Sequence, residues 1–253
     1  MKKLVILFAL ISLSETVLAQ DPTFTQFYAN PLYLNPAFAG SHGCPRFALN
    51  YRNEWPNLSG NYVTYSASYD QYFKNISGGF GVLALHDQQG QGTINTSMLG
   101  LIYSYHLKVT RKFSMMFGAR ASWFQKSLDW DKLTFGDMID PRRGFIYSTG
   151  DVPRGGSRGF FDASAGVVGY SKTFFFGFAT HHLNTPNESM IVGNSPLPMR
   201  FTGHMGAEIE LGKRSKYSNG TSIMPNIIYQ YQNGFQELNV GTYLKYGAFN
   251  VGA

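Results

Sequence analysis

The chain is poor in charge: Asp, Glu, Lys and Arg make up 14% of its 253 residues, against roughly 25% in ordinary soluble proteins. It has one cysteine, Cys44, which excludes an internal disulfide and any metal site built from several cysteines. Beyond residue 19 no apolar run approaches the roughly 20 residues of a membrane-spanning helix, so a helical membrane protein is excluded. Helical periodicity is missing too, and without crossover helices a parallel α/β sheet cannot be built. Acid is scarcer than base, with 15 Asp and Glu against 21 Lys and Arg and a formal net charge of +6. The basic residues sit mostly in short turns and form no stripe, so nucleic acid is not an expected partner.

What is present points elsewhere. Aromatic residues make up 16%, and there are 28 glycines. Few charges, many aromatics and middling hydropathy suggest a β protein whose two faces meet different solvents. Met1 to Ala19 reads as a signal peptide: Lys2 and Lys3 lead an apolar stretch from Leu4 to Leu13. Small residues at Val17 and Ala19 place cleavage before Gln20. The mature chain is then expected to work outside the cytoplasm.

Segment after segment alternates with the period of two that marks strands. Phe47, Leu49 and Tyr51 share one side of the first. In the cleanest, Phe201, Met205, Ala207, Ile209 and Leu211 oppose Arg200, Thr202, His204, Glu208 and Glu210. Ten such segments run between Arg46 and Tyr246, and Phe249 to Ala253 starts an eleventh. They are longer than the five or six residues usual in soluble proteins and match the 9–11 needed to cross a bilayer at a tilt. The connections after even-numbered segments are short, and those after odd-numbered ones are mostly long. This is the pattern of an outer-membrane barrel with its short turns in the periplasm. The expected fold is therefore all-β, an antiparallel transmembrane β-barrel, in contact with outer-membrane lipid. The short turns hold Lys108, Arg111, Lys112, Lys213 and Arg214, a candidate periplasmic docking surface for an acidic partner.

Chemistry-bearing motifs are sparse. His181-His182 is the one histidine pair, and neighbours on a strand face opposite sides, so the two are not expected to share a metal. Asp129, Asp131, Asp137 and Asp140 lie in the longest loop without the spacing of a calcium-binding EF-hand. No Gly-x-Ser-x-Gly elbow is present. No catalytic, cofactor or metal site is expected. A porin-like channel for small solutes, lined by Arg120, Asp162, Glu208 and Glu210, is the alternative to a binding function; a barrel-bound hydrolase is the third reading.

The segment from Gln20 to about residue 45 is different. Asn30-Pro31 and Asn35-Pro36 are two turn signals five residues apart, and proline keeps the stretch out of a central strand. Phe24, Phe27, Tyr28 and Phe38 make it too apolar for a free tail. Irregular backbone at membrane depth must be buried in protein, so the barrel lumen is its expected place. Phe24, Phe27, Tyr28, Asn30, Pro31, Asn35, Pro36 and Phe38 are the candidate lumen or partner residues.

The run Asp21-Pro22-Thr23-Phe24-Thr25-Gln26-Phe27-Tyr28-Ala29-Asn30-Pro31-Leu32-Tyr33-Leu34-Asn35-Pro36-Ala37-Phe38-Ala39-Gly40 closely resembles the opening of the PorP/SprF family, outer-membrane proteins of Bacteroidetes type IX secretion and gliding systems. Tyr51 to Pro56, Leu133 to Pro141 and Gly177 to Asn187 resemble later family elements. The resemblance implies a β-barrel of about 14 strands in the outer membrane and no enzyme activity. It implies other type IX components as partners, and cargo such as adhesins for secretion or display. One departure is plain: family members end on an aromatic strand residue, whereas this chain stops at Ala253 within a starting strand. The expectation is an incomplete barrel over 46–253, truncated at its C-terminus.

Overall fold

A computed structural model describes residues 21–24, 26–58, 60–90, 92–150, 155–190, 193–211, 221–247 and 249–252. The expected signal peptide lies outside the described residues, as do Lys213 and Arg214.

Eleven strands pair in sequence order into one antiparallel sheet. They are β1 (Arg46–Glu54), β2 (Tyr62–Phe73), β3 (Gly78–Gln89), β4 (Ile94–Lys108), β5 (Ser114–Leu128) and β6 (Ser157–Tyr170), then β7 (Phe174–His181), β8 (Arg200–Ala207), β9 (Thr221–Gln232), β10 (Phe235–Tyr246) and β11 (Phe249–Gly252). Ile209–Glu210 continues β8 in the same register on β9. The interruption falls where Ala207 would face Pro225, which has no N–H for the ladder. β9 and β10 join through Asn233-Gly234, both at positive φ (46° and 90°), the two-residue turn whose twist suits a hairpin. The outer edges of β1 and β11 have no strand partner among the described residues.

The pleat is inverted relative to a water-soluble protein. Phe47 is 66% exposed, Leu101 62% and Val240 69%, while Asp70 is 1%, Arg120 3% and Asp162 0% exposed. In water such an outer face would cost roughly 25 cal/mol for every Å² of apolar surface; in hydrocarbon it costs nothing. Outward aromatics gather towards both strand ends: Tyr51, Trp123, Phe161 and Tyr231 at the long-loop end, and Phe73, Tyr105, Tyr170 and Phe174 at the short-turn end. Two such girdles flanking an apolar band are the mark of a wall that spans a bilayer.

The apolar core lies on the inward face. Leu32 and Ala39 of the N-terminal segment pack with Leu83, Leu85, Met98 and Ile102 of β3 and β4. Ala37 packs with Met116 of β5 and Val168 of β6. The same segment reaches Arg52 on β1 through Thr23 and Gln232 on β9 through the Asp21 amide. One short segment touching strands from β1 to β9 requires the sheet to curl around it.

Candidate functional site

The segment Asp21–Gly40 folds locally because proline and asparagine leave it little else. A short helix, α1 (Pro31–Leu34), starts on Pro31, whose missing N–H costs nothing at that position. A 3₁₀ turn, Pro36–Phe38, is capped by Asn35, whose side-chain oxygen accepts the Ala37 N–H at 2.9 Å. Asn30, Pro31, Asn35 and Pro36 are buried, whereas Phe24, Phe27, Tyr28 and Phe38 are partly buried. Phe24 meets Tyr33 edge-on at 5.4 Å, Tyr28 meets Phe175 at 5.8 Å, and Phe38 lies 5.3 Å from the His204 ring.

Two features of the wall receive this segment. The first is absence of side chain. A methyl group built on Gly118 would overlap the Pro36–Ala37 backbone, and one on Gly166 would overlap the Asn35 amide. Glycine inside a strand marks such close approach. The second is a set of inward polar groups that meet the segment's backbone. Ser104 donates to the Ala37 carbonyl at 2.8 Å, and His106 to the Ala39 carbonyl at 2.9 Å. Asn35 in turn donates to the Val167 and Phe178 carbonyls at 3.2 and 3.3 Å. Asn30 donates to Ser66 at 2.9 Å. Asp70 accepts from the Gly40 amide at 2.7 Å and is clasped by Arg46 at 2.8 and 3.1 Å.

At the other end of the segment Asp21 is held by an ionic clamp. His182 spans two carboxylates: Nε2 lies 2.7 Å from Asp21 and Nδ1 lies 3.0 Å from Asp162. Arg200 pairs with Asp21 at 3.1 Å, donates to the Tyr33 hydroxyl at 3.1 Å, and lies over the Tyr33 ring. The Tyr33 hydroxyl donates on to the Pro22 carbonyl at 2.6 Å. Burial opposes the charge on His182, yet Asp21 and Asp162 outweigh it and raise its pKa to about 9. Burial also works to raise Asp21, and the His182 and Arg200 charges overturn that, holding the carboxyl well below the usual range. Both members of the pair are therefore ionised at neutral pH.

The clamp corrects one expectation. His181 and His182 both point inward, with 0% and 2% of their surface exposed. His182 is the first residue past β7 and has φ +59°, so strand alternation no longer governs it. His181 serves the segment separately, through the Leu34 carbonyl at 3.3 Å. Above the segment, towards the long loops, a cavity of about 520 Å³ remains.

A family model for the type IX secretion system membrane protein PorP/SprF matches residues 16–253. The chain belongs to the PorP/SprF family. No curated protein and no solved structure matches it. As a PorP/SprF protein it is a membrane component of the type IX secretion system, and family membership implies contact with other components of that system.

Other sequence-derived candidates fall in different places on this PorP/SprF chain. Lys108, Arg111 and Lys112 are exposed at the short-turn end, together with Lys74 and Lys172. Arg120 and Asp162 face inward: Asp162 accepts from His182 of the clamp, whereas Arg120 donates to Ser164 and lines the cavity. Glu208 accepts from Ser222 at 3.0 Å, and Glu210 is exposed at the rim. In the long loop Asp137 accepts from Thr149 and Gly150, and Asp140 from the Arg142 and Arg143 amides. These carboxylates brace turns; no metal-holding cluster occurs among the described residues. The clamp itself escaped sequence reasoning, because Asp21 and His182 stand 161 positions apart with no motif joining them.

Proposed function

We propose that this protein is a non-enzymatic outer-membrane component of type IX secretion that assists export or surface display of particular cargo proteins, adhesins among them. The observation that carries the reading is the family membership joined to an N-terminal segment packed on the inward face of the sheet. An inward face covered by the chain's own segment suits recognition and handover better than free diffusion of solutes, which disfavours the porin-like alternative. In this reading a signal peptide over residues 1–19 delivers the chain, outer-membrane lipid surrounds it, and the long loops face outward and meet the exported protein.

Deleting Asp21–Gly40 tests the role of the segment. Surface delivery of the cargo, measured by labelling intact cells, is expected to fall at least tenfold while the wall still inserts. Unchanged delivery would remove the segment from the mechanism.

The short-turn face is the proposed docking surface for an acidic periplasmic partner. Exposed charges each contribute little, up to about 1 kcal/mol, and salt screens them. Replacing Lys108, Arg111, Lys112, Lys213 and Arg214 together with glutamate should abolish co-purification of periplasmic type IX components at low salt. Co-purification that survives all five replacements would dismiss this surface.

A further inference from the structure

The cavity at the long-loop end contains a charge that the clamp does not use. Its other ionic groups are met: Arg52 by Glu54, Lys126 by Glu188 at 2.9 Å, and Arg200 by Asp21 at 3.1 Å. Asp87 accepts from Thr64 at 2.6 Å and from Gln89 at 2.9 Å. Arg120 differs. It lines the same cavity from β5 and is 3% exposed. Its Nη2 donates to Ser164 at 3.0 Å and faces His181 Nδ1 at 3.2 Å. Among the described residues its Nε and Nη1 have no hydrogen-bond partner, leaving three N–H donors unmet, one on Nε and two on Nη1. Among the described residues it forms no ion pair. The carboxylates of Asp162 and Asp21 act on it only through space, and a buried donor with no acceptor is costly and is kept only where something answers it.

The remaining lining says what kind of anion fits. Leu85, Met98, Phe124, Phe160 and Leu197 give the cavity an apolar wall, with Phe124 and Phe160 stacked at 5.2 Å. Glu54, Asp87 and Glu188 line it too, so a polyanion such as a nucleotide would be repelled. One negative charge on an apolar body satisfies both halves. The volume, about 520 Å³, lies in the range of small-molecule sites.

We propose that this cavity binds a monocarboxylate with an apolar body, with the Arg120 guanidinium as its anchor. The ligand approaches from the long-loop end, and the arginine side chain swings its unmet donors onto the carboxylate. Such a group is carried by the free end of a hydrophobic peptide or by a small aryl or alkyl acid. The proposal stands apart from the secretory role, because binding is read on the purified chain alone.

Isothermal titration of the full chain in detergent tests it with three probes: N-acetyl-leucyl-leucine, its C-terminal amide, and 4-phenylbutyrate. The peptide acid is expected to bind saturably and its amide at least tenfold more weakly. Saturable binding of 4-phenylbutyrate as well would assign the site to apolar monocarboxylates in general; binding of the peptide acid alone would assign it to chain ends. Arg120→Met, which removes the guanidinium and keeps an unbranched side chain, should lose at least tenfold in affinity. Arg120→Gln supplies the same readout if the methionine variant does not fold. No saturable heat with either acid, equal binding of acid and amide, or unaltered affinity in the arginine variants would overturn the proposal.

Discussion

Replacing Gly118 and Gly166 together with valine is expected to expel the N-terminal segment from the inward face of the sheet while leaving the sheet intact. At both positions the space beside the α-carbon is already taken, by the Pro36–Ala37 backbone and by the Asn35 side chain. Backbone on a proline-fixed turn cannot yield as a flexible side chain would. Overpacking costs about 1–3 kcal/mol at one site, so about 4 kcal/mol for two is a reasonable scale. Each 1.4 kcal/mol is a factor of ten, and the released population should rise roughly a thousandfold. Cleavage in a locally opened region follows that population when reclosing is fast. Chymotrypsin, which cuts after aromatic residues, should therefore attack Phe24, Phe27, Tyr28, Tyr33 and Phe38 far faster in the double variant. Gly203→Val is the matched control: it too lies in the wall, but a side chain there meets nothing within 4 Å, so cleavage should stay at the wild-type rate. Equal cleavage in all three proteins would mean that the glycines do not seat the segment.

Much of the wall was legible beforehand because its signal is local. Alternation at Phe47, Leu49 and Tyr51 follows from the pleat alone, and each of these residues is exposed. Asn233-Gly234 announces its hairpin by residue type. The segment's irregularity is written in Pro22, Pro31 and Pro36. What could not be read is the pairing between the segment and the inward face of the sheet. Asp21 meets His182, Asn35 meets Val167, and Ser104 meets Ala37; none of these distances in sequence carries a periodic trace. His182 was misassigned because the alternation rule was carried one residue past the end of β7. Arg120 and Asp162 were placed inward correctly, yet neither the contact of Asp162 with His182 nor the cavity that Arg120 lines could be read from the sequence. Gly118 and Gly166 look like ordinary strand glycines until the backbone they admit is known.

The clamp makes retention of the segment depend on pH in a definite direction. His182 titrates at about 9 in the folded protein, against about 6.5 for a free histidine. A raised pKa means that charged His182 contributes fully below about 6.5 and that its contribution is gone once pH has risen through about 9. Asp21 shifts the other way: its contribution is present above about 4, the ordinary carboxylate value, and is lost as pH falls through the lower folded value. The segment should therefore be held most tightly between about pH 4 and 6.5, weaken progressively to pH 9, and weaken again in strong acid. The histidine shift is equivalent to about 3 to 4 kcal/mol, and less for release alone, because Asp162 stays beside His182 at 3.0 Å after Asp21 departs. Hydrogen exchange of the Asp21–Gly40 amides, corrected for the intrinsic pH dependence of exchange, measures this retention directly. Asp21→Asn should remove the acid limb and most of the alkaline one, while His182→Gln should remove the alkaline limb. Protection that stays flat from pH 6 to pH 10 in the unaltered protein would show that Asp21 and His182 do not act as a charged pair.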